Sequence, residues 1–428
     1  MAGFHMANSR FKYTAVFAAG LAAYFFLGAP ARQPAIPGDL RDAPNSGGAL
    51  EQLVATGRFD SDREYLAPPP APVDSGNQQR NAVNFPGNDS REAKVFIRAE
   101  AASAKGRTGI YNLDRHKTAP PPKKEFLIIG HSGAPHKEIE NTVKSFQAAL
   151  DEGANAIEAD VCVTADGVLA LWHDWDSYST VANLRQMGVA SYKYAPFSDA
   201  DDPEGTTVAD ISYQHLRKYY GYRLPSRGSE KILNVIPTFE DMAKWASGKG
   251  ALKLIYLDIK IPENKAGLVP AVVDNITELG TRYGILDKLL FVSPSLAIVQ
   301  AARSYALGRG YALKIGMDRE MPVKVFMEPE SAAVPLDDFR LVSDAARLGI
   351  VYTALGQPTA ATLQNGWVNY QRLVSFNIFL KQSYPETRFI AWTIDDEEDS
   401  RWLIERGVDG IMTNRTDVVA RAVKSARR

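Results

Sequence analysis

From residue 125 onward, eight short apolar runs alternate with stretches of helical periodicity, and that alternation constrains the fold more than any other property of the chain. The runs cover residues 126–130, 156–163, 252–260, 289–292, 311–315, 349–352, 389–393 and 410–412. After the first, residues 140–152 read as an amphipathic helix with Val143, Phe146, Ala149 and Leu150 on one face and Gly153 at its end. After the second, Ala165-Asp166-Gly167 turns the chain into an extra extended piece, 168–172. Strand–helix alternation sustained over roughly 300 residues predicts an α/β fold of the (β/α)8 barrel type. A doubly wound open sheet is the alternative, but no Gly-rich dinucleotide or phosphate loop opens a helix here.

The remainder of the chain has a different texture. Residues 13–29 run apolar without a charge behind Arg10 and Lys12, and Ala29-Pro30-Ala31 offers a small-residue cleavage site. This predicts a signal peptide over 1–31, with an uncleaved membrane anchor as the alternative and membrane association through 13–29. Either predicts an exported barrel (periplasmic, secreted or lumenal) or an anchored one held outside the cytoplasm. Residues 32–124, with proline triplets at 68–70 and 120–122, read as a poorly ordered linker in which only Val95-Phe96-Ile97 could dock locally. The barrel is expected over 125–428, interrupted by an insertion at about 175–235.

Charge and cysteine content exclude several classes of function. The formal net charge is −1, so no global basic field exists to hold nucleic acid. A single cysteine, Cys162, excludes an internal disulfide framework and Cys-based zinc clusters.

Barrels of this type carry their sites at the C-terminal ends of the strands, which is where the unusual polar residues fall. His131 directly follows the first run, and His173 follows the extra extended piece. Glu158 and Asp160 lie two apart on the second run and therefore share one face; Asp258 and Lys260 repeat that spacing at the end of the third. Two carboxylates facing one lumen repel by roughly 4 kcal/mol at ~4 Å and intermediate dielectric. A hard divalent cation, Mg²⁺ or Ca²⁺, relieves that repulsion, whereas the plainer reading of Asp258 and Lys260 is a structural ion pair. Two histidines beside three carboxylates suit paired general acid and base work, since imidazole titrates near neutral pH. His136 reads as exposed, and His215 has no partner pattern.

These motifs resemble the glycerophosphodiester phosphodiesterase family. The resemblance rests on His131-Ser-Gly-Ala-Pro, Glu140-Asn141-Thr142, Gly153 through Val161 with its Glu158-Ala159-Asp160, Asp166-Gly167-Val168 and His173-Asp174. Pro237-Thr238-Phe239-Glu240, Ala391-Trp392-Thr393 and the closing Gly407-Val408-Asp409-Gly410 extend it downstream. It implies a metal-dependent phosphodiesterase that releases glycerol phosphate and an alcohol. His131 and His173 would be catalytic; Glu158, Asp160 and Asp258 would be metal ligands; Lys260, Ser132 and Trp392 would face substrate. The implied nucleophile is the substrate's own neighbouring hydroxyl, giving a cyclic phosphate that water then opens.

Two departures qualify that expectation. The third metal ligand of the family is commonly Glu; Asp258 there is also similar to the related sphingomyelinase D and phospholipase D toxins, which keeps a lysophospholipase D reading with a lysolipid substrate open. Where the family usually has Arg after the first histidine, this chain has Ser132, losing charge and a bidentate fork. Lys314, expected at the end of the fifth strand, is the candidate replacement, as is an arginine of the insertion; a catalytically impaired phosphate-binding barrel is the remaining alternative. The insertion is rich in tyrosines and bases, including Tyr192, Tyr194, Tyr213, Tyr219, Tyr220 and Tyr222. It reads either as a lid that stacks on a head group or as tyrosines packed on the barrel rim.

Overall fold

The computed structural model describes residues 89–104, 125–188, 192–199, 202, 207–224, 230–321, 335–357 and 364–426. The expected signal or anchor, and the linker apart from 89–104, lie outside the described residues. Among those described, no helix is long and apolar enough to cross a membrane.

Eight parallel strands close into the expected barrel: β1 (Leu127–Gly130), β2 (Ala156–Val163), β7 (Leu254–Ile259), β8 (Leu289–Ser293), β9 (Lys314–Glu320), β10 (Tyr352–Gly356), β11 (Arg388–Trp392) and β12 (Gly410–Thr413). Closure comes from β1, which pairs with β12 on one side and β2 on the other. The extra extended piece is β3 (Leu169–Leu171), antiparallel to β2. Small and apolar inward side chains, among them Ile129, Ala156, Leu254, Val292, Ile390 and Met412, fill the lumen. The alternate residues of the same strands pack against the surrounding helices. This period of two decides which polar side chains enter the lumen.

Helix starts follow local chemistry. Helix α2 (Val143–Asp151) is capped by Thr142, whose hydroxyl accepts from the Ser145 amide. Helix α5 (Phe239–Ala246) opens on a reciprocal capping box between Thr238 and Asp241, at the Pro-Thr-Phe-Glu start expected for it.

Two strands lie later in the chain than their apolar runs suggest. The run at 311–315 continues as β9 to Glu320, and the run at 349–352 continues as β10 to Gly356. Strand β9 carries Gly316, Asp318, Arg319 and Glu320, too polar to read as a strand from local composition. Part of the expected linker also differs. Residues Arg91–Ala104 form helix α1, whose Ala93 and Phe96 are fully buried. The Phe96 ring lies 5.2 Å from Phe376 and 5.7 Å from Phe379, on helix α9 (Gln364–Lys381). Few apolar residues carry this docking, which is why the helix leaves little trace in the periodicity.

The insertion has its own small sheet, β4 (Ala195–Ser198), β5 (Tyr220–Arg223) and β6 (Lys231–Ile232), preceded by helix α3 (Thr180–Gln186) and with helix α4 (Tyr213–Tyr219) running into β5. Tyr220 and Tyr222 are buried edge-on against Trp172, with ring centroids 6.2 and 5.2 Å away. Most of the insertion's aromatic surface is therefore packing.

Candidate active site

Strands β2 and β7 pair with Asp160 directly opposite Asp258, so the two carboxylates stand side by side at the C-terminal end of the lumen. Glu158 lies one inward step below Asp160. The three offer oxygens within 4.8 Å of one another. Lys260 Nζ lies 3.0 Å from Asp160 Oδ1 and 2.6 Å from Asp258 Oδ2. The ion pair expected as the plainer reading is thus present, but it leaves the cluster with three carboxylates and one cation. Burial, followed by Asp160 and Asp258, pushes Glu158 well above the usual carboxylate range. Burial also pushes Asp160 up, but Lys260 and the two histidines outweigh it and hold Asp160 well below its ordinary value. Asp258 Oδ1 is buried without a hydrogen-bond partner. An orphaned carboxylate oxygen within a hard, all-oxygen donor set fits a divalent cation such as Mg²⁺ or Ca²⁺.

Ser132 braces this cluster from the loop after β1. Its amide donates to Glu158 Oε2 at 2.6 Å and its hydroxyl to Asp160 Oδ2 at 3.1 Å, from a left-handed backbone with φ 50°. It is only 4% exposed, so it supports the carboxylates and does not present an open phosphate contact. Asn141 completes the bracing: its Nδ2 donates to Asp160 Oδ2 at 2.8 Å and its Oδ1 accepts from the Asp160 amide at 3.0 Å.

The two histidines flank the cluster and are held differently. His131 Nε2 lies 4.0 Å from Glu158 Oε2, and its Nδ1 lies 2.8 Å from Asn414 Oδ1. Asp395 accepts from both the backbone amide of Asn414 at 2.8 Å and its Nδ2 at 3.0 Å, which turns Oδ1 toward the ring. Nδ1 must then carry a proton, so that in the neutral ring the lone pair is on Nε2, the nitrogen on the cluster side. His173 Nδ1 lies 2.6 Å from Asp174 Oδ1, and the same oxygen accepts from Arg185. Burial pushes Asp174 up, but Arg185 and His173 hold it below its ordinary range.

Several of these partners were not predicted. Asp318 enters the lumen from β9; its Oδ2 accepts from Tyr256 at 2.5 Å and its Oδ1 from the Trp392 indole at 2.6 Å. Burial, then Asp258, pushes its carboxyl up to about 7. The Trp392 ring stacks beside His131, centroids 6.5 Å apart. Only the polar β9 concealed Asp318; its alternation with Gly316 was the available signal. His136, expected to be exposed, bonds the Asn414 carbonyl at 2.7 Å and Glu152 at 3.0 Å, and His215 has a partner in Asp202 at 2.6 Å.

Lys314 does not stand at the strand end expected for it. It opens β9 and does not end it, so it sits at the opposite end of the barrel from the carboxylates, where its Nζ donates to the Asp287 carbonyl. It cannot replace the arginine missing at position 132. The arginine of the insertion that does approach the site, Arg185, is committed to Asp174 and Glu140.

Known proteins resemble this chain in sequence and fold. The model of the glycerophosphoryl diester phosphodiesterase family matches residues 131–418. The glycerophosphodiester phosphodiesterase of Bacillus subtilis (strain 168) is 22% identical over 300 residues, spanning 70% of this chain and 87% of that protein. Glycerophosphodiester phosphodiesterase domain-containing protein 4 of Macaca fascicularis is 28% identical over 194 residues, 44% of this chain, which spans 30% of the macaque protein's length. A solved structure from Silicibacter pomeroyi DSS-3, 19% identical, superposes with a TM-score of 0.52 over 71% of this chain and 95% of that one, a likeness of fold. The barrel with its strand-end histidines and carboxylates, and a family match across most of its length, make this chain a member of the glycerophosphoryl diester phosphodiesterase family, a family of phosphoric diester hydrolases.

Proposed function

We propose that the chain is a divalent-cation-dependent glycerophosphodiesterase, cleaving small glycerophosphodiesters to a glycerol phosphate and an alcohol by two-histidine acid–base catalysis. The observation that carries the reading is geometric: two histidines held by different partners, Asn414 for His131 and Asp174 for His173, stand beside a cluster of three carboxylates. Glu158, Asp160 and Asp258 would hold Mg²⁺ or Ca²⁺, which when bound supplies Lewis-acid polarisation of a phosphoryl oxygen. His131, with its proton on Nδ1, presents Nε2 as the base that takes a proton from the attacking hydroxyl. His173 donates from Nε2 to the leaving alkoxide while Asp174 accepts from Nδ1, fixes the ring and balances its charge. The roles reverse when water opens the cyclic phosphate. Lys260, between Asp160 and Asp258, adds a fixed positive charge where phosphate negative charge gathers. Trp392, beside His131, forms an apolar wall for the substrate.

The export or anchoring signal at 13–29 belongs to the same proposal, with the barrel working outside the cytoplasm. Alcohol release from glycerophosphocholine, glycerophosphoethanolamine and glycerophosphoinositol, with Mg²⁺, Ca²⁺ or EDTA, tests it. Cation-dependent turnover of at least one diester is expected. Activity confined to lysophosphatidylcholine moves the chain to the lysolipid class, and no hydrolysis of any diester leaves a phosphate-binding barrel.

A further inference from the structure

Both catalytic histidines are backed by residues that the insertion at 175–235 reaches. On the His173 side, Arg185 of α3 bridges two carboxylates of the barrel framework, the buried Asp174 and the partly buried Glu140, and is itself buried. Tyr222 of β5, also from the insertion, bonds the same Glu140 oxygen at 3.3 Å. On the His131 side, Asn414 Nδ2 donates to the Tyr192 hydroxyl at 2.9 Å, and that hydroxyl donates to Asp395. Asn414 and Asp395 are the residues that fix His131 in one tautomer. One inserted segment therefore closes the hydrogen-bond shell of each histidine, through different residues and on different strand ends.

We propose that the insertion is a positioning element for both histidines, with Arg185 holding Asp174 against His173 and Tyr192 holding Asn414 against His131. The inference rests on the acid–base reading of those histidines. Its chemical logic is that a ring aimed by a single hydrogen bond swings with its partner, and outer partners restrict that swing. Without Tyr192, Asn414 keeps Asp395 but loses one of its tethers, and its amide is freer to turn. Without Arg185, the buried Asp174 and the partly buried Glu140 have no cation between them, and Asp174 loses its fixed direction. Neither Arg185 nor Tyr192 is assigned a contact with substrate.

The test uses the full-length, cation-loaded protein with glycerophosphocholine and the variants Tyr192→Phe, Arg185→Met and Arg185→Lys. Tyr178→Ala, an exposed change elsewhere in the insertion (63% exposed), serves as control. Tyr192→Phe is expected to lower kcat about tenfold with KM held within about twofold, and to replace the single His131 ring ¹⁵N pattern by a tautomer mixture. Arg185→Met is expected to lower kcat more, and Arg185→Lys to recover part of it. Where Arg185→Met does not fold, Arg185→Lys and Tyr192→Phe carry the test. An unchanged kcat and ¹⁵N pattern in Tyr192→Phe overturns the proposal, as does a loss expressed in KM with His131 unperturbed, which marks a substrate contact. Full turnover in His131→Ala or His173→Ala instead removes the acid–base reading, an outcome distinct from failure of the insertion variants alone.

Discussion

Trp392 donates its indole N–H to Asp318 Oδ1 at 2.6 Å, linking β11 to β9 across the lumen end of β10. The strand between them contributes Gly356, where an added Cβ would lie 2.4 Å from the Trp392 ring. The wall beside His131 is thus set by one buried carboxyl on one side and by a missing methyl group on the other.

Asp318 should make stability fall as pH rises. Its folded pKa, about 7, lies above the ordinary carboxylate value of ~3.9, so the native state binds this proton more tightly than the unfolded chain. That contribution is fully present below pH ~4 and is lost as pH rises through about 7. Asp318→Asn removes the titration. Denaturant unfolding of the chelated protein at pH 4.5 and pH 8 should show the variant gaining on the parent by about 3 kcal/mol. A pH-independent difference would show that Asp318 does not hold a proton.

Gly356→Ala should push Trp392 off its seat. Overpacking of this kind costs about 1–3 kcal/mol, and displacement of a wall beside the base should lower kcat/KM by about tenfold. Thermal unfolding together with steady-state kinetics checks both. A fully active Gly356→Ala protein would separate Trp392 from turnover.

His131→Ala and His173→Ala should each reduce turnover by ~10²- to 10⁴-fold, the usual contribution of a general acid or base. Circular dichroism should remain that of the parent, because both rings are partly exposed at strand ends. A folded variant with parental turnover ends the mechanism.

Chelation should abolish activity, and Mg²⁺ or Ca²⁺ should restore it. Asp258→Asn removes one of three carboxylates and should weaken cation affinity by at least about tenfold, read by titration calorimetry. It also leaves Lys260 paired with Asp160 alone, so the fold should persist. Equal cation affinity in this variant would move the site elsewhere.

Shortening the insertion over 195–228 removes more than a loop. It strips Tyr220 and Tyr222 from Trp172, so such a deletion should lose stability before it changes head-group preference. Tyr220→Ala isolates that effect and should cost about 3–5 kcal/mol, measured by denaturant unfolding. Parental stability with altered head-group preference would restore the insertion to the role of a pure lid.

How much of this could be read along the chain follows from where each signal resides. The alternation of eight strands with helices, the placement of His131 and His173 just past strand ends, and the shared face of Glu158 and Asp160 are local properties. Strand period and strand order suffice to convert them into one lumen end, because a parallel barrel aligns all its C-terminal strand ends. Lys260 and Asp258 joined the cluster for the same reason. The tertiary structure alone decided the rest. It put Lys314 at the far end of the barrel, since the polar composition of β9 hides where that strand stops. It brought Asn414 to His131 across 283 residues, and Tyr192 and Arg185 out of an insertion whose sequence resembles a solvated loop. Asp174 stands next to His173 in the chain, but hydrogen bonds between distant segments leave no periodicity behind, so Asn414, Tyr192 and Arg185 become visible as the groups behind the histidines only when the barrel closes.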